Sequence, residues 1–435
     1  MIINAGIQKI QTEVEETTDS APTSGLPVTP ASQIGTILTL YLILRITILL
    51  FYTQQGLFNA YIDYHYYYRT AQLSEQGYLP FVNMWYEYPP ILAYLPQIAY
   101  WLAGRIIPLE GVDSLGYQVF VRVLGLMLLV FDAGVLLLIY DIGKRLWGME
   151  KANWLGWVYA SLSLPLFFWS FAHQGVAVFF LLLSLWWFIR DRHYASAAAL
   201  GLGIASKITP VFLLAPAVRF LWPQRKRLFF YLILVLLTVT LVYLPFVLMG
   251  GSSWIAASFA ALSRVGSYGT VWAILDGNWG PGTYGELSSR LEIGQAYQMH
   301  ANPATIPGFV VLLAFGVLYG LYFFRPLRGV GKQEFIWFTT LTALVFHLWS
   351  RGWSPHWAMI LIPLFLLSFP DRRGLGWTLA LTGLVFIEWP FTVALGLKGL
   401  VAVFILMRVA LFIFISFRVI QQLWPARRDK IPSNV

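Results

Sequence analysis

An all-α, polytopic transmembrane protein is the fold class the sequence predicts, and three observations predict it. Charged residues make up only 11% of the 435-residue chain, against 58% hydrophobic and 17% aromatic, whereas a soluble domain carries roughly a quarter charged residues. Apolar runs long enough to cross a hydrocarbon core of about 30 Å recur along the chain, and mean hydropathy is +0.67. The basic residues fall in short clusters between those runs. The net charge of +9 therefore reads as loops held on the cytoplasmic side of a lipid bilayer, and nucleic acid is not an expected partner. With no cysteine in the chain, disulfides, thiolate nucleophiles and cysteine metal sites are excluded together.

The elements follow in order. Residues 1–33 are polar, with Glu13, Glu15, Glu16 and Asp19 beside a Ser/Thr/Pro stretch, and they lack the basic n-region and short apolar h-region of a cleaved signal. They are expected to form a cytoplasmic tail. The transmembrane domain runs over 34–424, with a first span at about 34–57. A first outward loop over about 58–117 follows. Within it, 88–107 is apolar but contains Pro89, Pro90, Pro96, Gln97, Gly104 and Arg105, which suits interfacial or re-entrant helices better than a crossing. The next span is at about 118–141.

With 88–107 non-spanning, Lys144, Arg145, Lys151, Arg190, Arg192, Arg225-Lys226-Arg227, Arg325, Arg328, Lys332 and Arg372-Arg373 all fall inside, as do Arg427, Arg428 and Lys430. Counting it as a crossing would put the first of these clusters outside. The stretch between Arg192 and Arg225 starts and ends inside, so it enters and returns as two short helices meeting near Ser206-Lys207-Ile208-Thr209-Pro210. A second large outward loop, about 250–303, holds Arg264, Asp276, Glu286, Arg290 and His300. The pattern gives about 12 spans, both termini cytoplasmic (425–435 is the second tail), and the unusual chemistry facing outward. No internal repeat is visible, so an inverted-repeat transporter gains no support.

Several residues are candidates for that chemistry. Asp63 lies among aromatics just past the first span, where an ionised carboxylate suits a general base for a hydroxyl; a helix-capping or solvated loop aspartate is the plainer alternative. Lys207 follows Gly201, Gly203 and Ala205 at the turn of the short helix pair. An ammonium there is costly unless paired or wet, which suits a phosphate, although snorkelling would also place it. Arg351 and His356, at the outer end of a span, offer a planar fork and a ring donor to phosphate, against simple interfacial anchoring.

Arg264 is a further phosphate candidate. His173, Gln174 and Glu87 are candidates for sugar or acceptor contacts, as are Tyr64 and Tyr88 beside the charged groups. Arg45 and Asp132 sit at matching depth in two spans, where each alone would cost at least about 2.5 kcal/mol, so a neutralising pair is expected. Aromatic belts account for most other Trp and Tyr residues.

Taken in order, Tyr61-Ile62-Asp63-Tyr64, Gly77-Tyr78, Tyr86-Glu87-Tyr88-Pro89-Pro90, Phe131-Asp132, Ser206-Lys207-Ile208-Thr209-Pro210 and Ser354-Pro355-His356-Trp357 resemble segments of the GT-C glycosyltransferases. The nearest likeness is to the polyprenol-phosphate-mannose-dependent mannosyltransferases of bacteria and the first mannosyltransferase of GPI-anchor synthesis. The resemblance implies a GT-C type fold, a polyprenyl-phosphate sugar donor, mannose as the sugar, a lipid or glycan acceptor, and a catalytic carboxylate at Asp63.

The GPI branch often carries a second Asp two residues earlier, where this chain has Tyr61. An acidic metal-binding pair is therefore not available, and neither metal nor cofactor is expected. The location implied is the plasma membrane, multi-pass, with the site on the extracytoplasmic face. Two other classes compete: a transporter or lipid flippase whose pathway the same charged groups would line, and an undecaprenyl-diphosphate-dependent glycan ligase or polymerase. The acid-bearing first outward loop with its Tyr-Pro-Pro turn favours the transferase, since a transporter has no need of it.

Overall fold

Lipid offers no water to backbone N–H and C=O groups, so a chain crossing it must satisfy them within each segment, and helices do so. The computed structural model describes residues 31–51, 63–169, 173–264, 266–279, 285–298, 303–327, 329, 331–393 and 395–424. Tyr61, Ile62, His300, Arg328 and all of the two expected tails except 31–33 lie outside these. Among the described residues there is no β-strand, only isolated bridges at Pro80–Met84 and Tyr268–Gly352.

The helices are α1 (Ile34–Phe51), α2 (Tyr64–Gln72), α3 (Pro90–Gly104), α4 (Leu115–Trp147), α5 (Met149–Ser161) and α6 (Ser163–Phe168). They continue with α7 (Gln174–Ile189), α8 (His193–Ser206), α9 (Leu214–Leu221), α10 (Arg225–Gly250), α11 (Ser253–Arg264) and α12 (Val271–Leu275). The last are α13 (Ile293–Gln298), α14 (Gly308–Phe324), α15 (Lys332–Trp349), α16 (Ala358–Ser368), α17 (Arg372–Phe386) and α18 (Lys398–Leu423). A π-helical segment, Ile387–Val393, follows α17.

Four of these helices, α1, α4, α10 and α18, are long and apolar enough to cross a membrane. Four shorter apolar stretches, Gln174–Ile189, Thr209–Leu221, Gly308–Phe324 and Pro355–Ser368, accompany them. The 33 residues of α4 rise about 50 Å. The helix starts where the Ser114 hydroxyl accepts from Tyr117 N–H at 3.1 Å. It ends after Lys144 and Arg145, basic residues suited to the negative end of the helix dipole, at Gly148, whose φ of 88° reverses the chain. By contrast, the 15 residues of α3 rise only about 22 Å, short of a hydrocarbon core of about 30 Å.

Two expectations about packing can be compared with the structure. Arg45 and Asp132 do form a fully buried ion pair, at 2.8 Å. Tyr41 and Tyr159 also donate to the Asp132 carboxylate, and the Arg45 guanidinium lies over the Tyr41 ring. The stretch 250–303, expected as a long loop, is instead largely short helices wherever it is described. Thr270 caps α12 by accepting from Ala273 N–H. Trp85, between α2 and α3, is fully buried among Ala257, Ala261 and Ala296. Its backbone and indole N–H groups donate to the carbonyls of Arg290 and Ser289. Small residues facing one large ring let the segments around Trp85 and 253–298 dock.

The turn that carries Lys207 has a local cause. Helix α8 packs on α7 and α10 and stops at Ser206, after which Lys207 is extended. Pro210 then opens a 3-10 turn, Thr209–Leu213, that leads into α9. A Cβ at Gly203 would stand 3.2 Å from Pro210 Cβ and 3.3 Å from Phe180 Cβ, so the tight turn needs the missing side chain.

Candidate functional site

Asp63 occupies the N-cap position of α2, yet its carboxylate makes no capping bond to the helix. It accepts instead from the Tyr67 hydroxyl, at 3.0 Å. Asp63 C=O takes Tyr67 N–H at 2.8 Å, so the two side chains are set one helical turn apart on one face. Residue Asp63 is half-buried. Burial pushes its carboxyl up to about 6, against the Tyr67 hydrogen bond and the Lys207 ammonium, which pull it down.

The Tyr67 hydroxyl also lies 3.1 Å from Nδ1 of His173, at the N-terminus of α7. A hydroxyl has one proton and an ionised carboxylate only accepts. Tyr67 therefore donates to Asp63, and His173 Nδ1–H donates to Tyr67. Next in the chain, Gln174 Oε1 accepts from Lys207 Nζ at 2.6 Å, and Lys207 Nζ lies 3.2 Å from Nε2 of His356. An ammonium has no lone pair, so His356 Nε2 is the acceptor.

The ring planes of Tyr88 and Trp357 face the ammonium, at 5.5 and 5.6 Å. Burial brings Lys207 down to about 7, with the Asp63 carboxylate opposing. Burial first, and then the Lys207 charge, hold His173 and His356 well below the usual imidazole range, so both rings are neutral near pH 7.

These contacts make one polar path: Asp63, Tyr67, His173, then across a peptide bond Gln174, Lys207 and His356. His173 and Gln174 are almost fully buried, while Asp63, Tyr88, Lys207, His356 and Trp357 keep partial access to solvent. The path is thus a buried back wall with ionisable groups at its edge.

The other candidates have partners of their own, although the Glu87 charge still reaches Asp63 and helps to raise its pKa. Glu87 is buried in an ion pair with Arg290 at 3.3 Å and accepts from Tyr66 at 3.0 Å, which ties the segment between α2 and α3 to the one before α13. Tyr64 is fully buried, its ring against Tyr67 and Phe120, a core position. Arg351 pairs with Asp276, which also accepts from Ser267 and Thr305. Arg264 is exposed and lies over the ring of Tyr297.

Tyr67 and Arg290 were not among the sequence candidates. The first was detectable as the residue four beyond Asp63 in a helix-forming stretch. The second, far from Glu87 in the chain, left no local signal. Among the described residues no three His, Asp or Glu side chains gather as a metal cage. The chain matches no protein-family model and no curated protein.

Proposed function

We propose that this membrane protein is a glycosyltransferase of GT-C type. It moves a sugar, mannose by the sequence resemblance, from a polyprenyl-phosphate donor to a lipid or glycan acceptor. In this reading the chain has about 12 spans in the plasma membrane, with both termini cytoplasmic and the Asp63 site on the extracytoplasmic face. The observation that carries the reading is the polar path from Asp63 to Lys207 and His356: a half-buried carboxylate linked to a half-buried ammonium, as a base and an anion site require.

The reaction follows from those two ends. The acceptor hydroxyl oxygen attacks the anomeric carbon while Asp63 takes its proton. The bond from that carbon to the phosphate oxygen breaks, and its electron pair leaves with the lipid phosphate. Attack from the side opposite the leaving group inverts the anomeric centre. The departing phosphate goes from one negative charge to two, and Lys207 is placed to meet the charge as it develops, which lowers the barrier more than binding the ground state would. His356, accepting from Lys207, fixes where the ammonium points. Tyr67 orients the Asp63 carboxylate. A donor dissolved in the bilayer would enter sideways, between helices. Arg351 and Arg264, held by Asp276 and Tyr297, have no step assigned.

The test is direct. Purified protein in detergent is incubated with radiolabelled polyprenyl-phosphate mannose and a membrane lipid extract. A labelled glycolipid or glycan is the expected product. No labelled product with any of several sugar donors contradicts the reading, and movement of donor across a vesicle membrane without a new glycosidic bond identifies a flippase instead.

A further inference from the structure

Two atoms on the back wall of the site have no hydrogen-bond partner among the described residues: Nε2 of His173 and Nε2 of Gln174. Their residues are 2% and 1% exposed, and a buried polar atom left unpaired costs on the order of 1–3 kcal/mol. Their neighbours fix what each offers. His173 gives its Nδ1 proton to Tyr67, so a neutral ring presents a lone pair at Nε2. Gln174 turns its amide oxygen to Lys207, which settles the orientation of the amide and leaves the NH₂ group as a donor facing elsewhere. A lone-pair acceptor and an N–H donor thus stand on consecutive residues.

We infer that His173 Nε2 and Gln174 Nε2 together hold one hydroxyl of the donor sugar, the hydroxyl proton going to His173 and the hydroxyl oxygen accepting from Gln174. A hydroxyl is the sugar group that gives and receives at once. A phosphate oxygen only accepts, so it would leave the His173 lone pair opposed. The site then divides into a phosphate side at Lys207 and a hydroxyl side at His173-Gln174, joined by the Gln174 amide. His173 and Gln174 become residues that select the sugar by the position of one hydroxyl. This rests on the glycosyl-transfer reading above.

The test uses the full-length protein in detergent. The probes are short-chain polyprenyl-phosphate mannose, its analogues with each ring hydroxyl in turn replaced by hydrogen, and the unglycosylated polyprenyl phosphate. One deoxy analogue is expected to bind the native protein about ten- to a hundred-fold more weakly than the parent. His173→Asn keeps a donor for Tyr67 at the Nδ1 position but deletes Nε2, and should bind parent and analogue alike. His173→Gln places an amide where Nε2 stood and should regain part of the discrimination.

Undiminished discrimination in His173→Asn overturns the inference, as does a native protein indifferent to every hydroxyl. If His173→Asn no longer binds the unglycosylated lipid, the same comparison in Gln174→Glu decides, since that change keeps the acceptor for Lys207 and removes the donor. Glycosylated probes that bind no better than polyprenyl phosphate overturn the sugar-donor reading itself. A labelled product together with full discrimination in His173→Asn would remove only this inference.

Discussion

Tyr67 reaches back one helical turn to place its hydroxyl 3.0 Å from the Asp63 carboxylate, at the N-cap where a side chain usually bonds to backbone N–H groups. Asp63 makes no such bond. That geometry sets aside the capping reading of Asp63, because a capping aspartate would spend its oxygens on the helix. Here the carboxylate is oriented by a side chain that is itself held by His173.

Removing that hydroxyl gives the first prediction. The Tyr67 hydrogen bond lowers the Asp63 pKa, so Tyr67→Phe should raise it above about 6. The acid limb of the kcat/KM profile should move to higher pH, with kcat near neutrality reduced about tenfold or more. An acid limb that stays in place would show that Asp63 does not set it.

A second prediction concerns the profile of the native protein. Asp63 must be ionised to act as base, so activity rises as pH passes about 6. Lys207 must be charged to meet the phosphate, so activity falls as pH passes about 7. The expected curve is a narrow bell, and Lys207→Arg should carry the alkaline limb upward. The sign for stability is opposite on the acid side. A carboxylate whose folded pKa is raised favours folding below its unfolded value near 3.8, and that contribution disappears as pH rises through about 6. Chemical denaturation between pH 4 and 7 reads it.

The buried Arg45–Asp132 pair predicts non-additive losses. Breaking a buried ion pair by removing one partner costs about 3–5 kcal/mol, because a charge is left uncompensated. Asp132→Ala should therefore lower the yield and melting temperature in detergent far more than Asp132→Ala combined with Arg45→Ala. Equal losses in the two variants would mean that the pair is not what carries the penalty.

The Glu87–Arg290 contact predicts that Glu87→Gln loosens the docking of the two segments that it joins. Limited proteolysis near 285–298 should then speed up several-fold, while the four membrane-length helices remain protected. Unchanged cleavage would mean that the ion pair is not what holds the two segments together, leaving contacts such as Trp85 with its alanine neighbours to do so.

How much of this was legible in the sequence depends on the range of each interaction. The break at Lys207 was readable because small residues before it and Pro210 after it act locally. Arg45 and Asp132 were readable because an ionisable group at membrane depth demands a partner. The same logic applies to Arg408 and Glu388, which pair in α18 and the π-helical segment, although the sequence reading passed over them. Arg408 also holds the Gly269 carbonyl. Arg351 is a phosphate candidate from its place beside His356, and its pairing with Asp276, remote in the chain, left no local signal. The docking of Trp85 and the pairing of Glu87 with Arg290 arise from contacts between distant segments, which periodicity and charge clustering do not encode.

The central claim is that Asp63 removes the acceptor proton in a glycosyl transfer fed by a lipid phosphate. Its most direct test is the initial rate of product formation from polyprenyl-phosphate mannose by native protein and by Asp63→Asn, with both shown to bind the donor. The account predicts a loss of at least about a hundredfold in rate with donor affinity retained. Turnover by Asp63→Asn at the native rate would contradict it.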